Sequence, residues 1–383
     1  MREKIKKRKI VIINQASNYL TIGLANAFLE KFEEVSLITG SIRVQGEELN
    51  PKVKIVSIIK WQNGPIYRKI FSYIGAIVIF FILLVTKYRK HEVFFIGVPP
   101  MAYFLNLVLR NRFSMLIWDV YPDAFRLTGM KESHLIYKLW SKLNKLSFSK
   151  AYKIFIIGDK MSDLMESYID KKKLIVQPIW SIFNNQERIS KIDNPFIKKY
   201  SLEDKFIVQY SGNIGLSHKV ELVVELAERL KEFEKIHFQI IGRGPRNDLL
   251  KKLVDQKGLT NCQFLPFQSE AMFPFSLSAA DLGVVILDEA MSKGSVPSKS
   301  YNLMSIGIPS LYIAGKDSEL FSYTEKYNHA VCYTENDLNK VEQFILSLSN
   351  SFSKWSMYSM NAKLASKNFT RDNADKIVES YLK

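Results

Sequence analysis

The chain has 383 residues, 47% of them hydrophobic, and a formal net charge of +16. That length suits two domains of ordinary size, and the apolar content is enough to pack both cores. Two cysteines, Cys262 and Cys332, and five scattered histidines exclude a disulfide framework and any His/Cys cluster with metal-ligand spacing.

Met1–Lys9 is basic, but only a short strand follows it, so it lacks the form of a secretory signal. The first half then alternates short apolar runs with helical segments. Strands are predicted at Ile10–Asn14, Val35–Thr39, Val53–Ile58, Val93–Ile96, Ser114–Asp119, Lys153–Ile157 and Leu174–Gln177. Between the third and fourth lies Ile70–Thr86, an uncharged run flanked by Arg68-Lys69 and Lys87 and at the lower length limit for a membrane span. The strands on either side must join one sheet, and a span would place them on opposite sides of a membrane. The run is therefore expected to be a domain helix, buried on one side and dipping into lipid on the other. Basic residues cluster at Lys4–Lys9, Lys87–Lys90, Lys138–Lys150 and Lys171–Lys173, all in the first half. No helix-turn-helix, zinc-finger, RRM or OB pattern accompanies them, so nucleic acid is not the expected partner. An anionic membrane surface is.

Ser181–Asp204 is polar, holds Pro195 and reads as a linker. The second half repeats a strand–turn–helix unit. Phe206–Gly212 runs into Gly-Asn-Ile-Gly215, and Ile236–Ile241 runs into Gly242-Arg-Gly-Pro245. Cys262–Leu265 and Leu282–Leu287 are further strands. Near-continuous apolar strands indicate a parallel sheet covered on both faces, with ligands at the strands' carboxyl ends. The stretch from Gly294 to Pro309 adds a loop of small residues and a short helix. Ser298 is expected at the N-cap and Gly307 at a left-handed C-cap, before a strand at Ser310–Ile313. Lys299 falls in the helix's first turn, where the dipole disfavours a cation and a bound anion would explain it. The loops Gly212–Lys219, Gly242–Arg246 and Gly294–Lys299 each bear glycine and a basic residue, and are expected to converge on that edge as a diphosphate site.

The order Gly-Asn-Ile-Gly, Gly-Arg-Gly-Pro, Ala-Ala-Asp281-Leu-Gly and Val-Pro-Ser-Lys…Gly-Ile-Pro resembles the C-terminal half of the GT-B glycosyltransferases of glycosyltransferase family 4. It is most like the bacterial surface-polysaccharide branch that includes L-fucosamine transferases. Gly97-Val-Pro-Pro100 and Trp118-Asp-Val-Tyr-Pro-Asp123 are similar to that branch's N-terminal signatures. The resemblance implies an α/β chain of two doubly wound, Rossmann-like domains facing a central cleft. Residues 1–180 would be the acceptor-side domain, 181–204 a linker and 205–367 the nucleotide-sugar domain. A C-terminal helix at 368–383 would cross back to the first domain. The chain departs from the family pattern at several places: the usual glycine pair after the first strand is missing, the loop there being Asn14-Gln-Ala-Ser-Asn18 with Gly23 only later. Gly294 and Asn302 stand where many members carry paired glutamates, and Asn213 stands where an arginine is common.

The implied reaction is hexosyl-type transfer from a nucleotide-diphosphate sugar, with a UDP-sugar favoured, to a lipid-linked saccharide in capsule, O-antigen or exopolysaccharide synthesis. It would run at the cytoplasmic face of the membrane with retention of configuration, without a metal or other cofactor. Gly212, Asn213, Gly215, His218, Lys219, Ser298 and Lys299 are the candidate diphosphate ligands. Arg243, Gly244, Asp288, Glu289, Tyr301 and Asn302 are candidates for the nucleotide or sugar. Asp119 and Asp123, beyond a strand of the first domain, are candidate groups for orienting or deprotonating the acceptor hydroxyl. Two other readings remain at this point. One is a sugar-nucleotide 2-epimerase of the same architecture, which the scarcity of histidine disfavours. The other is a non-catalytic membrane scaffold of a polysaccharide assembly complex, which the basic ligand loops disfavour.

Overall fold

The computed structural model describes residues 8–62, 64–183, 186–215 and 218–383. Most of the basic Lys4–Lys9 cluster, and two positions of the Gly212–Lys219 loop, lie outside the described residues. The chain divides into two compact units. The first comprises residues up to Ile182, together with Lys293–Ser295 and Arg371–Lys383. The second comprises Phe183–Ser292 and Val296–Thr370.

The first unit is built on seven parallel strands. Across the sheet they run Lys54–Ser57, Glu34–Thr39, Lys9–Ile13, Glu92–Ile96, Phe113–Ile117, Ile154–Ile156 and Leu174–Val176. Counted along the chain this order is 3-2-1-4-5-6-7. All seven coincide with the predicted runs. Their legibility has a simple cause: Ile10, Val11, Ile12 and Ile13 are all fully buried, because a parallel sheet is covered on both faces and selects unbroken apolar strands. The helix Tyr19–Leu29 begins at Asn18, whose side chain accepts from the Leu20 and Thr21 N–H groups. The last helix, Asp372–Leu382, packs on it, with the Phe28 and Tyr381 rings 5.4 Å apart and nearly perpendicular. The long helix Ile66–Val85 buries only the stripe Ser72, Ala76, Phe80 and Leu84.

The second unit carries six parallel strands, in the order Cys262–Leu265, Ile236–Arg243, Phe206–Asn213, Leu282–Ile286, Ser310–Ile313 and Ala330–Tyr333. The sequence suggests a strand around Cys332 without giving its bounds; the structure sets it at Ala330–Tyr333, paired with Ser310–Ile313 at the edge of the sheet. The count along the chain is again 3-2-1-4-5-6. The polar stretch expected to be a linker instead opens this unit. Asn194 caps the helix Pro195–Tyr200, and Phe196 and Ile197 bury against Ile207, Leu265 and Ala279. The Asp281 carboxylate accepts from the Ile207 N–H at 2.8 Å, from Lys191 at 2.6 Å and from Arg188 at 2.9 Å. Charged side chains gathered around one buried carboxylate look, in sequence, the same as a solvated linker.

Candidate functional site

In the second unit the strand order reverses between Phe206–Asn213 and Leu282–Ile286. Their carboxyl ends mark the crevice where such sheets take ligands. Gly212 pairs in register with Gly242, and Asn213 with Arg243. The glycines let the two strand ends approach. A Cβ on Gly242 would stand 2.0 Å from the Gly212 carbonyl oxygen, and one on Gly244 would stand 2.2 Å from that of Ile214. Gly244 is thus explained by loop packing. At Gly212 the obstacle differs: a Cβ there would stand 2.8 Å from Lys299 Nζ. Beside it, a Cβ on Gly215 would lie 3.0 Å from Asn213 Nδ2 and 3.4 Å from His218 Nδ1.

The helix Lys299–Ile306 reaches this crevice because Gly283 lets Leu303 in, where a Cβ would be 2.4 Å from the leucine methyl. Gly307, at φ +77°, ends the helix as the sequence suggested. Ser298 does not cap it. Its backbone is already helical and its side chain makes no cap bond, because Ser300 and Tyr301 close the first turn on the Pro297 and Ser298 carbonyls. The Lys299 stem is partly exposed, but Nζ is sealed from solvent with no hydrogen-bond partner among the described residues. Nζ lies 4.0 Å from the centre of the Tyr210 ring. Burial lowers its pKa to about 7. A buried ammonium with no hydrogen-bond acceptor is costly until an anion joins it.

Lys219 is differently placed. It forms an ion pair with Glu335 and lies 3.7 Å from Asp288, so carboxylates already offset its charge. Asp288 also accepts from the Ala290 N–H at 2.9 Å and starts the turn Glu289–Met291. Lys219, Leu287, Asp288, Glu289, Ala314 and Glu335 line a small recess at the strand ends. His218 is half-buried; burial first, then Lys299, push its pKa down to about 4 against the pull of Asp288. Its imidazole is therefore neutral near pH 7. Arg243 is exposed, its guanidinium 5.1 Å over the Phe267 ring. Asn213 is exposed and Asn302 half-buried. Tyr301 belongs to the core: its side chain is fully buried, its hydroxyl is 3.2 Å from that of Tyr323, and its ring centre is 4.7 Å from that of Phe369. It does not line the crevice, because in so short a helix the residue two places after Lys299 faces inward. Tyr210 and Glu335 were not foreseen. Glu335 stands just beyond the carboxyl end of the strand Ala330–Tyr333, so the rule that located the loops would also have found it, whereas Tyr210 lies within its strand and carries no such signal.

In the first unit, Asp119 follows the strand Phe113–Ile117 and keeps access to solvent. The protein around it raises its pKa, and a hydrogen bond with the Ser295 side chain opposes that rise. The Val120 N–H donates to the Gly294 carbonyl at 3.2 Å. Gly294 and Ser295 therefore belong with the first unit, not with the second sheet's edge as the continuous loop Gly294–Lys299 suggested. Asp123 is buried and holds its loop: it accepts from Tyr137 at 2.7 Å and Tyr168 at 2.6 Å, with Arg126 at 3.3 Å. Among the described residues no group of three or more His, Cys, Asp or Glu side chains has metal-site geometry.

Residues 193–350 match the family model described as Glycosyl transferases group 1. The probable glycosyltransferase WbjE of Pseudomonas aeruginosa is 26% identical over 249 residues, 63% of this chain and 62% of that protein. The putative colanic acid biosynthesis glycosyl transferase WcaI of Escherichia coli is 31% identical over 175 residues, 45% of this chain and 43% of that one. The matches thus span less than two thirds of either curated relative. Among solved structures, WaaG, a glycosyltransferase involved in lipopolysaccharide biosynthesis, superposes with a TM-score of 0.72 at 12% identity, covering 97% of this chain and 99% of that one. Anabaena HepE, in complex with UDP and glucose, gives 0.71 at 12%, covering 98% and 99%. The fold is GT-B. Its two Rossmann-like domains correspond to the two parallel sheets, and the sequence relatives are glycosyltransferases.

Proposed function

We propose that this protein transfers a sugar from a nucleotide-diphosphate sugar, a UDP-sugar first among the candidates, to a lipid-linked saccharide at the cytoplasmic face of a bacterial membrane. The product would belong to surface polysaccharide synthesis. One observation carries the reading: the buried Lys299 amine, without a hydrogen-bond partner among the described residues, at the strand-order reversal beside Gly212. As the bond from the sugar to the diphosphate breaks, negative charge grows on the departing oxygens. Lys299, at the N-terminus of its helix, offsets it in a site sealed from water. Neutral His218 supplies a hydrogen bond, and the Lys219–Glu335–Asp288 cluster borders the sugar or ribose. The acceptor hydroxyl attacks the anomeric carbon, and its proton passes to the leaving diphosphate; Asp119 of the first unit is the candidate side chain for orienting or deprotonating that hydroxyl. The reading includes retention of configuration and no metal held by the protein. That HepE holds UDP on the same fold supports the choice of donor.

The test is a panel of UDP-, GDP- and dTDP-sugars with purified protein, with and without lipid-linked acceptor. Release of nucleotide only with acceptor is the expected result. A changed sugar nucleotide without acceptor would make the protein an epimerase, and binding of none would leave a scaffold.

A further inference from the structure

The helix Ile66–Val85 has far more apolar surface than the protein covers. Its buried positions, Ser72, Ala76, Phe80 and Leu84, recur every fourth residue and form one narrow stripe. Outside that stripe Ile66, Phe71, Ile74, Val78 and Ile82 are each at least 50% exposed. A second helix of the same unit, Leu135–Lys150, repeats the pattern. It buries Tyr137, Trp140 and Phe148, while Leu135, Ile136, Leu139 and Leu146 stay exposed among Lys138, Lys142 and Lys145. Both helices pack against the short turn Ala102–Leu107. Tyr121 joins them: it stacks on Trp140 with ring centres 5.8 Å apart and senses the Tyr73 hydroxyl of the long helix.

Charge says what this surface fits. Neither helix contains an aspartate or glutamate, and Arg68, Lys69, Lys87, Arg89 and Lys90 bracket the long one. Apolar side chains interleaved with lysines match a leaflet of anionic phospholipid, where the chains enter the acyl boundary and the ammonium groups meet headgroups. A second copy would oppose lysines to lysines, and lysine is depleted at protein interfaces. A transmembrane span is disfavoured by topology. The strands on either side of the long helix, Lys54–Ser57 and Glu92–Ile96, lie in one parallel sheet, and Gln15 Nε2 donates to the Ser72 carbonyl at 3.0 Å from within the unit.

We infer that the helices Ile66–Val85 and Leu135–Lys150 together seat the first unit on an anionic lipid leaflet, the long helix lying in the interface rather than crossing it. This deepens the proposed function by naming the surface that meets the membrane, and it rests on that reading only for the identity of the acceptor. The test is vesicle flotation with the full chain and no sugar nucleotide, on phosphatidylcholine alone and with phosphatidylglycerol added. Binding is expected only with phosphatidylglycerol, and high salt should weaken it. The triple variant Lys138→Gln, Lys142→Gln, Lys145→Gln should bind about a hundredfold more weakly, since each basic residue near such a surface contributes roughly fivefold. Phe71→Ser with Ile74→Ser, both on the exposed face, should bind at least about tenfold more weakly. Circular-dichroism melts should match the parent in both variants. Equal binding to both vesicle types, or unchanged binding by both variants, overturns the proposal. So does a dimer in light scattering that Phe71→Ser with Ile74→Ser dissociates, because the face then belongs to a second copy. Resistance to alkaline extraction from cell membranes overturns it too, in favour of a span. Failure of the donor panel with flotation intact would sink only the transferase reading, and the converse would sink only this one.

Discussion

In the first unit, Asp123 is buried and accepts hydrogen bonds from Tyr137 and Tyr168; in the second, Lys299 Nζ is buried over the face of Tyr210, with no hydrogen-bond partner among the described residues. The two sheets share a strand order, and both groups stand beyond the carboxyl ends of strands near the order reversal. A buried polar group with its partners in place fixes a loop and stabilises the fold. One without partners lowers stability, and its presence is better explained by what it binds. The contrast separates a polar group that the fold already satisfies from one whose presence the proposed donor would explain. Asp119 falls between the two: accessible, raised in pKa, and tethered to Ser295.

Asp119 is the place to break this division first. Asp119→Asn should lower turnover about a hundredfold, within the usual range for a lost general base, with donor affinity near normal. Ser295→Ala removes only the tether, and should lower turnover much less. Equal losses in the two variants would mean that Asp119 merely holds Ser295. Loss of donor binding in Asp119→Asn, measured by calorimetry, would move it to the donor site.

Lys299→Met tests the other side. Donor affinity should fall by at least about tenfold, because a charge-assisted bond is worth roughly 1.5–3 kcal/mol. Free Lys299 titrates near pH 7, and a diphosphate beside it raises that value. Binding therefore takes up a proton above pH 7. Affinity for a UDP-sugar should be flat below that pH, then fall by up to about tenfold per pH unit above it, and Lys299→Met should abolish the slope. Stability of the free protein carries the opposite trend. The folded pKa lies below the unfolded value of 10.5, so the unfolded state binds more protons between the two, and stability rises with pH across that window. A pH-independent affinity in the parent protein would show that the lysine is not the phosphate ligand.

Much of this was legible in the sequence. The strands could be read because burial on both faces removes polar residues from them; Gly307 stood out because glycine is the preferred left-handed C-cap, and Lys299 because a cation in the first turn opposes the helix dipole. Three features could not be read. Whether Asp123 was free or held depended on Tyr168, distant in the chain. The link of Gly294 to Val120 crosses nearly half the sequence, so a loop continuous in sequence is divided in space. Tyr210 sits inside an apolar strand, where nothing distinguishes a ring that supports a lysine from one that fills a core.

Asp123→Ala sharpens the idea of a frame. It leaves the buried hydroxyls of Tyr137 and Tyr168 without their acceptor, which should cost about 2–3 kcal/mol of stability. Chemical denaturation would measure it. Turnover should fall less than in Asp119→Asn once the melting difference is allowed for. A stable Asp123→Ala protein with no activity would return the residue to the chemistry.

The smallest effect is expected at Tyr301, where sequence pattern and structure disagree most plainly. The pattern placed it on the ligand side of the helix that begins at Lys299; the structure turns it into the core beside Tyr323 and Phe369. Tyr301→Phe keeps the ring and its packing and removes one buried hydroxyl. Stability should fall by about 1 kcal/mol, the net worth of an ordinary hydrogen bond, and donor affinity should stay within about twofold, since no charge-assisted contact is lost. Both can be read from one preparation, by thermal melting with and without UDP-sugar. The ligand-induced rise in Tm should match that of the parent protein even though both melts begin lower. A smaller rise would mean that the hydroxyl holds Lys299 in place through the helix, and the boundary between frame and binding site would then pass through Tyr301.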